Sequence, residues 1–291
     1  MKRWIISLLI VGAFVLGYGA WYTCSAARQR VEFYILTPSF NNARAEADGV
    51  PLCISNIQSV QKQEYPHWHM YIIDDASEDG TADCIERYIS DHGLSDAITL
   101  IRNPVRKGAM ENIYRTIHEH MTHDSAVVIC LDGDDELLHP RVLTMLAEQY
   151  RDENLWLTYG NFIFHPSGNR GFCRPYPERV VKRRAYRSSP WLASHLRTFR
   201  VALFKKIRQE DCCYAGAFLA VNCDQAIMLP MLEMAGPDHY RCIQEPLYLY
   251  KETPLNDFKV FTDDYRAEVL RHIRALPPYQ PLESLGQCLK K

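Results

Sequence analysis

Five short apolar runs divide the first half of the chain, and each is followed by a polar or turn-forming cluster. Val31–Ser39, Trp68–Ile73, Ile98–Arg102, Ala126–Leu131 and Leu155–Phe164 read as strands. Met70–Ile73 and Ala126–Leu131 are apolar at every position, which predicts strands covered on both faces. Between the runs the apolar period changes to that of a helix. Ile54, Ile57 and Val60 follow Pro51; Cys84, Ile85 and Tyr88 follow Gly80-Thr81. Met110, Ile113, Tyr114 and Ile117 follow Gly108, and Val142, Leu143, Leu146 and Tyr150 follow Pro140. Strands alternating with helices imply βαβ units, hence an α/β domain with a mostly parallel central sheet flanked by helices.

The rhythm fails after Phe164. Pro166–Pro190, rich in Pro, Gly and Arg, reads as a long loop, and Ser194–Ile207 as partly helical. Asp224–Met234 reads as a helix, Arg241–Tyr250 as a late strand and Asp263–Leu276 as a C-terminal helix.

Two of the apolar runs end in paired carboxylates. Met70–Ile73 leads into Asp74-Asp75, and Ala126–Leu131 into Asp132-Gly133-Asp134-Asp135. Ligands of open α/β sheets bind beyond the carboxyl ends of the strands, so these acids are expected at one rim. There they repel: two like charges about 4 Å apart cost roughly 4 kcal/mol at an intermediate dielectric. A hard divalent cation removes that cost and prefers oxygen ligands. The pattern points to a metal-assisted site for an anionic, phosphate-bearing substrate. A pair such as Asp74-Asp75 alone serves equally well as a turn or helix cap. The second cluster, in the right order, favours the site.

Composition narrows the classes. A chain of 291 residues with 47% hydrophobic content fills one large domain or two small ones. A net charge of -2 argues against nucleic acid as a partner. Trp4–Tyr22 is uncharged over about 19 residues, the length of a membrane-spanning helix, with Trp4 at one end and Trp21-Tyr22 at the other. A cleaved signal peptide ending near Tyr18-Gly19-Ala20 is the rival; length and Tyr18 favour an anchor. The ten cysteines show no C-x-x-C spacing, and pairing among Cys173, Cys212, Cys213, Cys223 and Cys242 stays open. Arg170, Arg174, Arg179 and Lys182-Arg183-Arg184 read as a solvated face, with a diphosphate or an anionic membrane surface as the alternative.

Four blocks occur in a set order. Thr37-Pro38-Ser39-Phe40-Asn41 closes the first strand. Ser59-Val60 through Gln63, Tyr65-Pro66 and Ile72–Thr81 come next. Asn103, Lys107-Gly108 and Asn112 follow, then Leu131–Asp135 with Pro140. Together they resemble the nucleotide-sugar half of glycosyltransferase family 2, whose fold is called GT-A. The resemblance covers Val31–Leu143, less than half of the chain. The uncharged stretch places an anchor and short stem over 1–30, and the resemblance implies a GT-A domain over 31–255, split into a nucleotide-sugar half (31–143) and an acceptor half (144–255). A helical tail over 256–291 follows.

The resemblance also implies roles. Thr37, Pro38, Asn41, Lys107, Gly108 and Gly133 would bind the nucleotide sugar, with Asp74 or Asp75 on the base and ribose. Asp132 and Asp134 would hold Mn²⁺ or Mg²⁺, Asp132 also touching the ribose, and Asp135 would order the acceptor side. A base carboxylate is expected at a helix start in the second half, where Asp224 stands; Cys223 occupies a place that is commonly acidic. The late metal-binding histidine of some relatives has no match. Trp191, His195, Arg197 and Arg200 are candidates for meeting the diphosphate or the acceptor.

The expected activity is inverting, metal-dependent transfer of a sugar from a UDP- or GDP-linked donor to a hydroxyl of a glycan, lipid or protein. The alternatives are a sugar-phosphate nucleotidyltransferase, disfavoured by the absence of glycine in Thr37–Asn42, and a non-catalytic nucleotide-sugar-binding module. The expected location is a membrane, single-pass: Golgi or ER, type II, in a eukaryote, or the cytoplasmic face of the inner membrane in a bacterium.

Overall fold

The computed structural model describes residues 30–43, 46–47, 49–253 and 260–286. The expected N-terminal anchor lies outside them, and no helix among the described residues is long and apolar enough to cross a membrane.

One eight-stranded sheet organises the fold. In chain order its strands are β1 (Phe33–Ser39), β2 (Trp68–Asp74), β3 (Ile98–Arg102), β4 (Val127–Cys130), β5 (Glu136–Leu137), β6 (Leu157–His165), β7 (Arg197–Arg200) and β8 (Tyr240–Lys251). They lie in the order β3-β2-β1-β4-β7-β6-β8-β5. The first four are parallel, and their near-continuous apolar character has a direct cause. Phe33 and Ile35 pack with Ile57, Ile85 and Leu146 from the helices Leu52–Gln61, Thr81–Asp91 and Val142–Tyr150 on one face. Leu36 packs with Met110 and Ile117 of the helix Ala109–His120 on the other.

The second half departs from the expected parallel order, and the sheet is mixed. β7 runs antiparallel to both β4 and β6; β8 is parallel to β6, and β5 antiparallel to β8. The stretch expected as partly helical divides into β7 and a single turn, Val201–Phe204. Four residues, Arg-Thr-Phe-Arg, are too few to show a period. Thr198 is buried there because hydroxyls of Thr158 and Tyr150 meet it at 2.6 and 2.8 Å. The expected loop 166–190 contains the helix Glu178–Arg183, which buries Val180 alone and so shows no period in sequence.

The C-terminal helix, Asp263–Ala275, buries Val269 and Ile273 against the second half. Arg274 ties it to Ser189 O at 2.7 Å and Gln225 Oε1 at 2.9 Å. Beside it, Arg187 and the fully buried Glu233 form a two-pronged ion pair at 2.7 and 2.9 Å.

Register places the site. Ser39 is level with Asp74, and Leu36 with Cys130. The chain therefore leaves β1, β2 and β4 at one rim, carrying all the paired carboxylates there.

Candidate active site

A cleft of about 740 Å³ opens at that rim. Pro38, Asp75, Lys107 and Gly108 line one wall, Asp132 to Asp135 the floor, and His195, Arg197 and Asp224 the opposite wall. Thr37, Asn41, Asp74 and Trp191 do not reach the lining. Thr37 is buried inside the sheet. Asn41, in a left-handed conformation (φ 56°), accepts the Glu78 N–H on its side-chain oxygen and shapes the loop. Asp74 turns the chain by accepting the Ser77 N–H at 3.2 Å. Of the first pair of acids, Asp75 alone faces the cavity.

Asp75 is already well bonded. It accepts the N–H groups of Lys107 and Gly108, each at 2.8 Å, and Asn103 Nδ2 at 2.9 Å. Burial alone would raise its pKa, but these hydrogen bonds, with Asn112, outweigh it and hold the carboxyl below its usual range. Gly108 has φ 87°, which only glycine adopts readily, so the loop can turn its amide onto Asp75. The sequence block Asn103, Lys107-Gly108, Asn112 is thus one carboxylate-binding nest.

The floor is clamped from below. Asn56 Nδ2 donates to Asp135 O at 2.7 Å and Asp132 O at 2.9 Å. A Cβ on Gly133 would stand 2.8 Å from Pro38 O and 2.9 Å from Ser39 Cβ, so the loop crosses β1 where only glycine fits. Asp135 is 1% exposed, and both oxygens are occupied at 2.6 Å, by the Tyr248 hydroxyl and the Lys251 N–H. Burial, then Asp134 and Asp132, push its carboxyl well above the ordinary value. It holds the floor to β8 rather than presenting a free group.

Asp132 and Asp134 remain as the acids turned to the cavity. Asp132 meets Arg197 Nη2 at 3.3 Å and the Tyr248 hydroxyl at 3.4 Å. Asp134 accepts Thr253 Oγ1 at 3.1 Å; burial in the floor, then the charge of Asp132, push it up to about 6. Mutual repulsion of two carboxylates is the donor chemistry that suits a divalent cation. No third His, Cys, Asp or Glu joins them in a ligand cluster among the described residues. An ion shared with substrate phosphates needs only one or two carboxylates.

On the opposite wall Asp224 sits in the first turn of the helix Cys223–Ala235, where the dipole favours an anion. Burial nevertheless raises its pKa; Arg197, the Gln225 N–H and Trp191 pull the other way. The Trp191 indole lies near that carboxylate, but its buried N–H closes no hydrogen bond of ordinary geometry. Burial opposes the charge of Arg197, yet Asp132 and its neighbours hold the guanidinium firmly protonated. His195 stacks on Tyr248 at 4.4 Å, and burial with Arg197 nearby drives its pKa well below the usual histidine value. That favours a neutral ring, suited to hydrogen bonding rather than to neutralising a diphosphate. Arg200 is no candidate either: it donates to carbonyls of Leu155, Ser125, Tyr150 and Asp152.

Sequence reasoning missed Tyr248, which joins Asp132, Asp135 and His195, and also Arg106, Asn222 and Arg266 on the lining. Tyr248 carries no local signal; it is an apolar position of a strand whose hydroxyl meets a loop distant in sequence.

The model described as Glycosyl transferase family 2 matches residues 34–211, more than half of the 291. The Putative glycosyltransferase EpsE of Bacillus subtilis (strain 168) is 29% identical over 119 residues, 40% of either chain. The Putative teichuronic acid biosynthesis glycosyltransferase TuaG of the same organism is 39% identical over 54 residues, 19% of either chain. Both matches span less than half of these relatives. Among solved structures, the mannosyltransferase PcManGT from Pyrobaculum calidifontis, in complex with GDP-Man and Mn²⁺, superposes with a TM-score of 0.53. It is 19% identical, over 86% of this chain and 69% of that one. TarS of S. aureus in complex with UDP gives 0.53 at 15% identity, over 84% and 64%. GalNAc-T7 with UDP, GalNAc and Mn²⁺ gives 0.56 at 13%, over 85% and 49%. This likeness is one of fold: a GT-A-like mixed sheet between helices.

Proposed function

The chain belongs to glycosyl transferase family 2 and is a transferase, and from that premise we propose that it moves a sugar, with inversion, from a nucleotide-diphospho-sugar to an acceptor hydroxyl, with help from a divalent ion. One observation carries the reading: Asp132 and Asp134 face the same cavity as Asp224, across its floor. Mn²⁺ or Mg²⁺ held by Asp132 and Asp134 would supply positive charge for the departing nucleoside diphosphate. Arg197, held protonated beside Asp132, adds a fixed positive charge on the same side. Asp224 accepts the proton of the acceptor hydroxyl; burial makes it a stronger base than an exposed carboxylate. Asp75 acts indirectly, holding the Lys107–Gly108 backbone against the nucleoside. His195, neutral, is suited to hydrogen-bond a sugar or acceptor hydroxyl. The GDP-Man, UDP and Mn²⁺ bound by the structural neighbours fit this donor class. Trp4–Tyr22 is assigned as a membrane anchor.

The test is a screen of UDP- and GDP-sugars with the purified chain and Mn²⁺ or Mg²⁺. Release of UDP or GDP, dependent on acceptor and metal, is expected. Calorimetry showing no affinity for either ion, with or without UDP or GDP, would sink the proposal. For the anchor, deleting Met1–Tyr22 should move the protein from the membrane fraction to the soluble one.

A further inference from the structure

Three large hydrophobic side chains stand exposed among the described residues; one lines the cleft and the other two are linked to residues that line it. Val105, 64% exposed, precedes Arg106 on the lining, and Val260, 53% exposed, lines the cavity itself. Phe172, 48% exposed, connects to the cleft through Phe162, its ring 5.8 Å away. Phe162 in turn meets two lining residues, His195 at 5.5 Å and Tyr250 at 5.8 Å.

Phe172 is held in place. The Gly171 N–H donates to Phe162 O at 2.8 Å, Asn161 Nδ2 to Cys173 O at 3.1 Å, and the Tyr159 hydroxyl to Arg174 O at 3.2 Å. Gly171 lies so close to the Phe162 ring that a Cβ there would collide with it. β6 pairs with β8 along one edge, so this segment follows its other edge, the one β7 occupies lower down. In an extended stretch alternate residues face opposite sides. Gly171 and Cys173 accordingly turn inward, while Arg170, Phe172 and Arg174 stand exposed in a row. Arg170 donates to a carbonyl, Gln244 O, and forms no ion pair among the described residues. Beside Val105, Arg106 lays its guanidinium over the Phe40 ring at 3.8 Å.

A single exposed hydrophobic residue needs no explanation. A set linked to the lining of one cleft and accompanied by arginines has the chemistry of an interfacial surface, with apolar side chains at headgroup depth and guanidinium groups on lipid phosphates. We infer that the mouth of the cleft docks on an anionic lipid bilayer, Val105, Phe172 and Val260 entering it and Arg170 and Arg174 meeting its phosphates. One consequence rests on the transferase reading: the acceptor hydroxyl belongs to a membrane-resident molecule.

The test uses the full-length chain with the photoreactive benzoyl-phenylalanine in place of Phe172 or, as control, of Asp91. Asp91 ends the helix that starts at the rim, and so marks the opposite edge of the sheet. Each protein is irradiated with vesicles of phosphatidylcholine, with or without phosphatidylglycerol, and lipid adducts are read by mass spectrometry. Adducts are expected at position 172 and not at 91, with yield falling several-fold on neutral vesicles and in the Arg170→Glu/Arg174→Glu background. Adducts at 91 in preference, or none at 172, would overturn the surface. So would equal yields on neutral and anionic vesicles. Retained UDP or GDP binding in a sample without adducts at 172 would reject the docking face and leave the transferase reading standing.

Discussion

The two walls of the cleft treat their polar groups in opposite ways. On the β1–β3 side the carboxylate of Asp75 is answered by three N–H donors from the protein, and on the floor Asp135 by one O–H and one N–H. On the far wall His195 Nδ1, Arg197 Nε and Arg266 Nε are buried with no hydrogen-bond partner among the described residues, whereas the unpartnered atoms on the first side, Thr37 Oγ1 and Asp74 Oδ1, lie off the cavity lining. A buried donor left unpaired costs about 1–3 kcal/mol. Such atoms persist where a ligand completes them. The first wall is therefore a finished scaffold, and the second is unfinished without a substrate. Residue type alone does not separate the two, since Asp75, Asp135, Asp132, Asp134 and Asp224 are all carboxylates at one cavity.

That contrast can be broken by substitution. The largest effect is expected from Asp134→Ala, which should reduce turnover by on the order of 10³-fold or more, because a cation's charge stabilisation is lost. Thermal stability should hold or rise, since repulsion with Asp132 disappears. Nucleotide release and a melting curve on one preparation measure both; a stability loss with turnover intact would place Asp134 among the scaffold acids. Asp224→Asn should lower kcat by about 10²- to 10⁴-fold, the usual worth of a general base. UDP or GDP affinity by calorimetry should stay unchanged, and full turnover in this variant would remove Asp224 from the mechanism.

Asp75→Asn tests the other wall. Its expected effect is on stability, about 1–3 kcal/mol in urea unfolding, as the Lys107 and Gly108 amides lose an ionic acceptor. Donor KM should rise while kcat holds; a kcat loss at unchanged stability would move Asp75 to the reacting side. The smallest effects are in pH. Asp224 must be ionised to accept a proton and its pKa is raised, first by burial, so kcat/KM should fall on acidification at a pH above the ordinary carboxylate range. Asp75, with a lowered native pKa, acts on stability instead: its contribution is full above the unfolded carboxylate value and is lost as pH falls through the native one. An acid limb of kcat/KM at the ordinary carboxylate pKa would contradict the buried base.

Much of the first half was legible because its signals are local. Ile98–Arg102 and the helix starting after Gly108 appear where the period and the turn residues place them. β7 and the helix Glu178–Arg183 were not, being too short to carry a period. The order of the motifs located the site, but not the choice of Asp75 over Asp74, the neutrality of His195, or the part played by Tyr248.

The amino-acid order by itself determined that two covered strands end in carboxylates and that these share a rim, because strand patterning and turn chemistry act over a few residues. Tertiary structure alone decided which of those acids the protein satisfies for itself. Their partners arrive from far along the chain, Lys107 to Asp75 across 32 positions and Lys251 to Asp135 across 116. A carboxylate's role follows from the donors and solvent around it, and those are assembled only when the chain has folded.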